Sequence, residues 1–102
     1  MKKIIIDTTD NKETTIELQY KQIRDKITEK SKPKSQVTLQ IIDKILKKNQ
    51  VKPTDLEEIE VNTGPGSFTG TRVGVAIANA LGFGLDIKVN GEKGKTTTPK
   101  YF

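Results

Sequence analysis

The sequence predicts one small α/β domain, in which a mixed five-stranded sheet carries two main helices on one face. Short apolar runs suited to strands alternate with two segments whose apolar residues recur at helical spacing. Three strand-like runs come before the first helix, so the predicted order is β-β-β-α-β-α-β, a meander followed by right-handed crossovers. A length of 102 residues fits a single domain, and 32% hydrophobic residues confine the core to a few elements.

The first three strands are predicted from apolar runs and from alternation. Lys2–Asp7 contains three consecutive isoleucines and is expected to be a buried strand. In Thr14–Tyr20 apolar and polar residues alternate, which turns one face of the strand inward. A two-residue turn at 21–22 would then pair Ile16 with Ile27 on the same face of a hairpin.

The first helix is predicted after a polar loop that contains Pro33. Ser35 is the expected N-cap, and Lys47-Lys48-Asn49 supplies cations and an end signal. Five apolar residues between these limits recur at helical spacing: Val37, Ile41, Ile42, Ile45 and Leu46. The helix is therefore expected to turn one apolar side to the sheet.

A short helical turn, a strand and the second helix are predicted next. The threonine and glutamate of 54–57 have the spacing of a capping box, and 59–62 is the expected fourth strand. The second helix is predicted over about 69–81, with Gly82 and Gly84 closing it. A last short strand follows.

Residues 1–91 are expected to form the whole domain, and 92–102 a flexible basic tail. The chain has no cysteine and no histidine, which excludes disulfides, thiolate chemistry and the commonest imidazole base and zinc ligand. Its apolar runs are too short for a bilayer, and its amino-terminal run is predicted to be a strand, so we expect a cytoplasmic protein without membrane contact. The formal net charge is +5, but lysines interleaved with acids favour a solvated surface over a nucleic-acid site.

The glycine-rich loop over 64–70 matches neither of two phosphate-binding patterns. A P-loop needs a lysine directly after its last glycine, where this chain has Thr71. A dinucleotide fingerprint needs glycines at offsets zero, two and five, whereas these stand at Gly64, Gly66 and Gly70. We therefore predict a tight strand-to-helix turn, with no cofactor assigned.

Small residues recur in the second helix. Every fourth position is small: Gly70, Gly74, Ala78 and Gly82. We interpret this stripe as the side on which another helix approaches closely, either the first helix or one from another subunit. The residues expected to pack on the sheet are Val73, Ile77, Ala80 and Leu81.

The element order resembles half of an actin-like, ribonuclease-H-like ATPase, and one long segment carries a closer resemblance. Residues 55–76, with DLEEIEVNTGPGSFTGTRVGVA, resemble the signature of the TsaB/YeaZ family. Ile4–Thr9 is similar to that family's first strand and 41–46 to its first helix, so the resemblance covers roughly 1–91. Against the family's pattern, we expect these residues to form one actin-like domain where ordinary members have two, and Lys34 stands where a histidine is often found.

The resemblance implies an amino-terminal actin-like half domain that is not catalytic by itself. It would bind and stabilise a TsaD-like catalytic subunit of the complex that makes threonylcarbamoyladenosine on tRNA, with TsaE as a further partner and tRNA reached indirectly. No catalytic, cofactor-binding or metal-binding residue is implied, and Asp7 is expected to be structural. The residues expected at the partner interface are Ile41, Ile45, Gly70, Arg72, Val73, Gly74, Ala76, Ile77 and Ala80.

Two other functions stay open at this point. The helix pair could join two copies of the chain into a homodimer, since exposed apolar helix surface favours self-association. The alternative to the partner-subunit role is a self-associating minimal actin-like domain that binds nucleotide or tRNA.

Overall fold

A computed structural model of the chain describes residues 1–30, 33–94 and 97–99. Its strands are β1 (Lys3–Asp7), β2 (Glu13–Tyr20), β3 (Ile23–Lys30), β4 (Glu58–Val61) and β5 (Lys88–Val89). Its helices are α1 (Lys34–Lys48) and α2 (Phe68–Leu85), with a 3₁₀ turn at Pro53–Asp55 before β4. The predicted element order is confirmed.

The sheet order is β3-β2-β1-β4-β5, with antiparallel β1–β2 and β2–β3 and parallel β1–β4 and β4–β5. The sheet is therefore mixed, as predicted. In the hairpin Ile16 lies opposite Ile27, which confirms the expected register. The turn is tight because Lys21 takes a left-handed conformation with φ of 54°.

Both helices cover the same face of the sheet. Helix α1 packs on β2 and β3, α2 packs on β1, β4 and β5, and the two helices touch each other. The core between the helices and the sheet includes the fully buried side chains of Ile4, Ile6, Ile16, Leu18 and Ile59. The opposite sheet face is polar, and there Lys3 Nζ lies 2.7 Å from Glu60 Oε1. The strand order and the two helices on one face agree with the actin-like, ribonuclease-H-like architecture expected from the sequence.

The predicted start of α1 was wrong by two residues. Pro33 occupies the N-cap position without a side-chain bond, and Ser35 lies inside the helix. Instead the Lys34 ammonium donates to the backbone oxygens of Asp10, at 2.6 Å, and Glu13, at 3.3 Å. A contact with the β1–β2 loop therefore holds this helix end where a local cap was expected.

The predicted end of α2 was also too early. The helix continues to Leu85 and ends at Asp86, which takes a left-handed conformation with φ of 56°. Gly82 lies inside the helix against Val89, where a β-carbon would overlap the valine side chain. Close packing on β5 thus explains a glycine that resembles a stop signal in the sequence.

The tail expected over 92–102 falls partly on 95, 96 and 100–102, which lie outside the described residues. In the described part Glu92 forms an antiparallel bridge with Val89, and Thr97 bonds to α2. The predicted mobility of this segment stays a prediction. Across the described residues, no helix is both long and apolar enough to cross a membrane.

Candidate partner-binding surface

The glycine-rich loop packs directly on the end of β1. A β-carbon on Gly66 would lie 2.6 Å from Thr9 Cβ, so the backbones approach as closely as glycine allows. The Ser67 amide donates to the Thr9 oxygen at 2.7 Å, and the Ser67 hydroxyl accepts from the Gly70 amide at 3.2 Å. Ser67 is thus the N-cap of α2, and the loop forms the tight turn that the sequence predicted.

Asp7 holds the ends of β1 and β4 together. Its carboxylate accepts hydrogen bonds from the Thr9 amide at 3.0 Å, the Thr9 hydroxyl at 2.7 Å and the Asn62 side chain at 3.2 Å. Burial works to raise the pKa of Asp7, but the bonds from Thr9 and Asn62 and the charge of Lys34 outweigh burial and lower the pKa. These hydrogen bonds tie the carboxylate to the residues that follow β1 and β4.

Asp7 also borders an open depression on the polar sheet face. The other side chains with oxygen atoms that line it are Glu58, Glu60, Asn62 and Asn90. Within 1–30, 33–94 and 97–99, no three acidic residues gather into a group that could hold a metal ion.

The interpretation of the small-residue stripe as a helix-contact side is corrected for Gly74 and Gly82, which face Thr8 and Val89 of the chain's own sheet region, whereas Gly70 does meet Lys34 of α1. A β-carbon on Gly74 would overlap the Thr8 hydroxyl, and that hydroxyl donates to the Gly70 oxygen at 2.6 Å. Ala78 is fully buried. The small side of α2 therefore lets the helix come close to the end of β1, and it is not exposed for another helix.

Burial divides the nine residues predicted at the partner interface. Ile41 and Ile45 are 1% and 0% exposed, and Gly70 and Gly74 are also buried. These four are core residues of the folded chain, so the prediction that they contact a partner is corrected. The five that remain exposed or half-buried all lie on α2: Arg72, Val73, Ala76, Ile77 and Ala80.

We define the outer face of α2 by its outward-facing residues: Thr69, Arg72, Val73, Ala76, Ala80 and Phe83. Phe83 is 91% exposed, and Arg72, which is the sole charged residue of α2, stands with its guanidinium carbon 5.5 Å from the centre of the Phe68 ring. A shallow depression runs between Arg72 and Ala76. The face carries a phenylalanine and an arginine, residue types that are enriched at protein interfaces, beside small side chains.

Sequence reasoning missed Phe83 because the helix was expected to end at 81. A signal existed: Phe83 stands three residues after Ala80 and seven after Ala76, so it continues their side of a longer helix.

The comparisons with known proteins point to one family. Residues 23–92 match the family model described as "TsaD: tRNA N6-adenosine threonylcarbamoyltransferase". The protein from Bacillus subtilis named "tRNA threonylcarbamoyladenosine biosynthesis protein TsaB" is 37% identical over 68 residues, which are 67% of this chain and 30% of that protein. The protein of the same name from Haemophilus influenzae is 43% identical over 51 residues, 50% of this chain and 22% of that protein.

A solved structure described as "YeaZ from Pseudomonas aeruginosa" superposes with a TM-score of 0.81 at 22% identity. The superposition covers 86% of this chain and 41% of that one, and it supports the shared fold. The matched part of this chain spans less than a third of the two curated relatives' length.

Proposed function

The chain belongs to the TsaB/YeaZ family and carries the region that the TsaD family model describes, and from this premise we propose that it is a non-catalytic subunit of the machinery that makes threonylcarbamoyladenosine on tRNA. Its task is to bind and stabilise a TsaD-like catalytic subunit, with TsaE as a further partner and tRNA reached through the complex.

The observation that carries the proposal is the outer face of α2. A phenylalanine that is 91% exposed stands at one end of a helix surface with a single charge, on a chain in which 30% of residues are charged. Contiguous apolar surface of this kind marks interaction sites on soluble proteins. Phe83 and Arg72 are the anchor types that concentrate binding energy at interfaces, and the small Ala76 and Ala80 let a partner approach the backbone.

The non-catalytic role is supported by the contacts of Asp7 and of the glycine-rich loop, the two parts of the chain that most resemble a nucleotide-binding site. Asp7 is engaged by Thr9 and Asn62, and the glycine-rich loop is packed on the end of β1. Because the matched family model bears the name of a transferase, this role needs its own assay. We expect the chain alone to transfer no threonylcarbamoyl group to tRNA, and to raise the modification rate when the TsaD-like protein of the same genome is present.

Co-purification with that TsaD-like protein tests the docking surface. Ala76→Arg places a long charged side chain at the centre of the outer face with little loss of helix propensity, and we expect it to weaken binding by tenfold or more, roughly 1.4 kcal/mol. The matched control is Gln40→Arg on α1, an exposed position one turn before Lys44, which bonds to Glu29 of β3 on the side of α1 away from α2; it should bind like the parent. Equal binding of Ala76→Arg and the parent would contradict the proposal.

The same outer face could bind a second copy of the chain, which is the homodimer expected from the sequence. Light scattering after size exclusion, with and without the TsaD-like protein, separates the two arrangements. If one face serves both, the TsaD-like protein should convert any homodimer into a heterodimer, and Ala76→Arg should abolish both species.

A further inference from the structure

The carboxy-terminal segment Thr97–Pro99 is held against α2 by a pair of hydrogen bonds to one side chain. The Asn79 side-chain nitrogen donates to the Thr97 oxygen at 2.9 Å, and the Thr97 amide donates to Asn79 Oδ1 at 3.1 Å. Both polar groups of the asparagine thus bind the backbone N–H and C=O of one residue, as a neighbouring strand would. The contact depends on the backbone of Thr97 and on the side chain of Asn79.

Asn79 lies at the border of the outer face of α2. It stands three residues after Ala76 and four before Phe83, so the three side chains are neighbours on the helix surface. Ala76 stays exposed and Phe83 is 91% exposed with the segment in place. The segment therefore lies beside the outer face and does not cover it.

Asn79 and Phe83 also line an open groove of about 370 Å³ at the same border. Gly82, Ile87 and Val89 contribute apolar lining, and a β-carbon on Gly82 would overlap the Val89 side chain. At the other end Lys93 Nζ lies 3.4 Å from Asp86 Oδ2, which places the residues after β5 near the end of α2. The groove has room for one large apolar side chain beside the Phe83 ring.

We propose that the partner-binding surface extends beyond α2 into this groove, with Thr97–Pro99 as its rim and Asn79 as the positioning residue that holds the rim. The inference rests on the proposed function, because the occupant is the same TsaD-like subunit, which inserts an apolar side chain next to Phe83. Continuity with the outer face favours this occupant. The bonded Asn79 amide also lets a partner cover this border without leaving an unpaired polar group.

Three full-length variants separate the backbone contact from the side chains. Asn79→Ala removes both hydrogen bonds at a helix position that accepts alanine. Thr97→Pro removes the amide that donates to Asn79. Thr97→Ala is the matched control, since it changes the same residue and keeps both backbone groups.

Amide exchange followed by NMR reports whether the rim is held, without any partner. The backbone amide of residue 97 should exchange slowly in the parent and in Thr97→Ala, and fast in Asn79→Ala. Affinity for the TsaD-like protein should fall roughly fivefold in Asn79→Ala and Thr97→Pro and stay unchanged in Thr97→Ala.

Fast exchange of the Thr97 amide in the parent would contradict the proposal that Thr97–Pro99 is held as a rim. Equal or higher affinity of Asn79→Ala for the TsaD-like protein would contradict it too. A parent that does not bind the TsaD-like protein overturns the proposed function and the rim with it. This case is distinct from failure of the rim alone, in which the parent binds and Ala76→Arg does not.

Discussion

Helices α1 and α2 lie side by side on the same sheet, but the surfaces that they expose to solvent differ in composition. The outward lysines of α1 are paired: Lys44 with Glu29 at 2.9 Å, Lys47 with Asp43 at 3.0 Å and Lys48 with Asp25 at 3.2 Å. Helix α2 carries Arg72 as its sole charged residue and exposes Phe83. The paired cations of α1 are typical of a solvated surface, whereas the outer face of α2 has the composition of a docking surface.

The sides of the two helices that face the sheet differ in the size of their side chains. Helix α1 meets the sheet through large side chains such as Ile41 and Ile45, while α2 meets it through Gly74 and Ala78. Large side chains hold α1 away from the strands, and small ones let α2 approach them. The comparison teaches that in α2 small residues serve the fold on the inner side, while those on the outer side belong to the surface that we propose for binding.

The largest expected effect is on the inner side of α2. Gly74→Leu would drive a side chain into Thr8 and break the buried hydrogen bond from the Thr8 hydroxyl to the Gly70 oxygen. We therefore expect the free energy of unfolding to fall by about 3 kcal/mol or more, or no folded protein. Thermal unfolding measures the loss. Gly84→Ala is the control in the same helix, because nothing lies within 4 Å of its added carbon and alanine favours helix by about 1 kcal/mol. Equal melting temperatures for Gly74→Leu and the parent would refute the inward orientation of this stripe.

A smaller effect compares the beginnings of the two helices. Ser67→Ala removes the side-chain acceptor of the Gly70 amide and should cost about 1 kcal/mol, a fall in melting temperature of about 4–8 °C. Ser35→Ala should change the melting temperature little, since Ser35 lies inside α1 and Pro33 occupies the N-cap position. If Ser35→Ala proves the more harmful of the two, α1 begins where the sequence predicted it to begin.

The smallest expected effect is the acid sensitivity of the β1–β4 junction beside α2. The pKa of Asp7 is lowered in the folded chain, so its ionised form stabilises the fold above the ordinary value of 3.8, and this stabilisation is lost as pH falls through the lower folded value. Asp7→Asn should therefore be less stable than the parent near neutral pH and lose less stability on acidification below 3.8. Parallel acid denaturation curves for parent and variant would show that Asp7 does not contribute.

The sequence by itself determined the order of the elements, the hairpin register, the tight loop before α2 and the family resemblance. These follow from contacts close along the chain: alternation places Ile16 opposite Ile27, and the glycines of the loop permit a sharp turn whatever packs on it. The segment 55–76 carries the family signature as a string of residues and needs no structure to be read.

Only the tertiary structure decided which side of α2 faces outward, where the helices begin and end, and what the carboxy-terminal segment contacts. A stripe of glycine and alanine permits close approach of any neighbour, so spacing alone cannot tell a sheet from a second helix; the position of Thr8 over Gly74 made that choice. Likewise, a glycine can end a helix or lie inside it, depending on what packs beside it. Here Val89 packs against Gly82, and the helix continues. The bond between Asn79 and Thr97 joins residues 18 positions apart, which local sequence patterns do not encode.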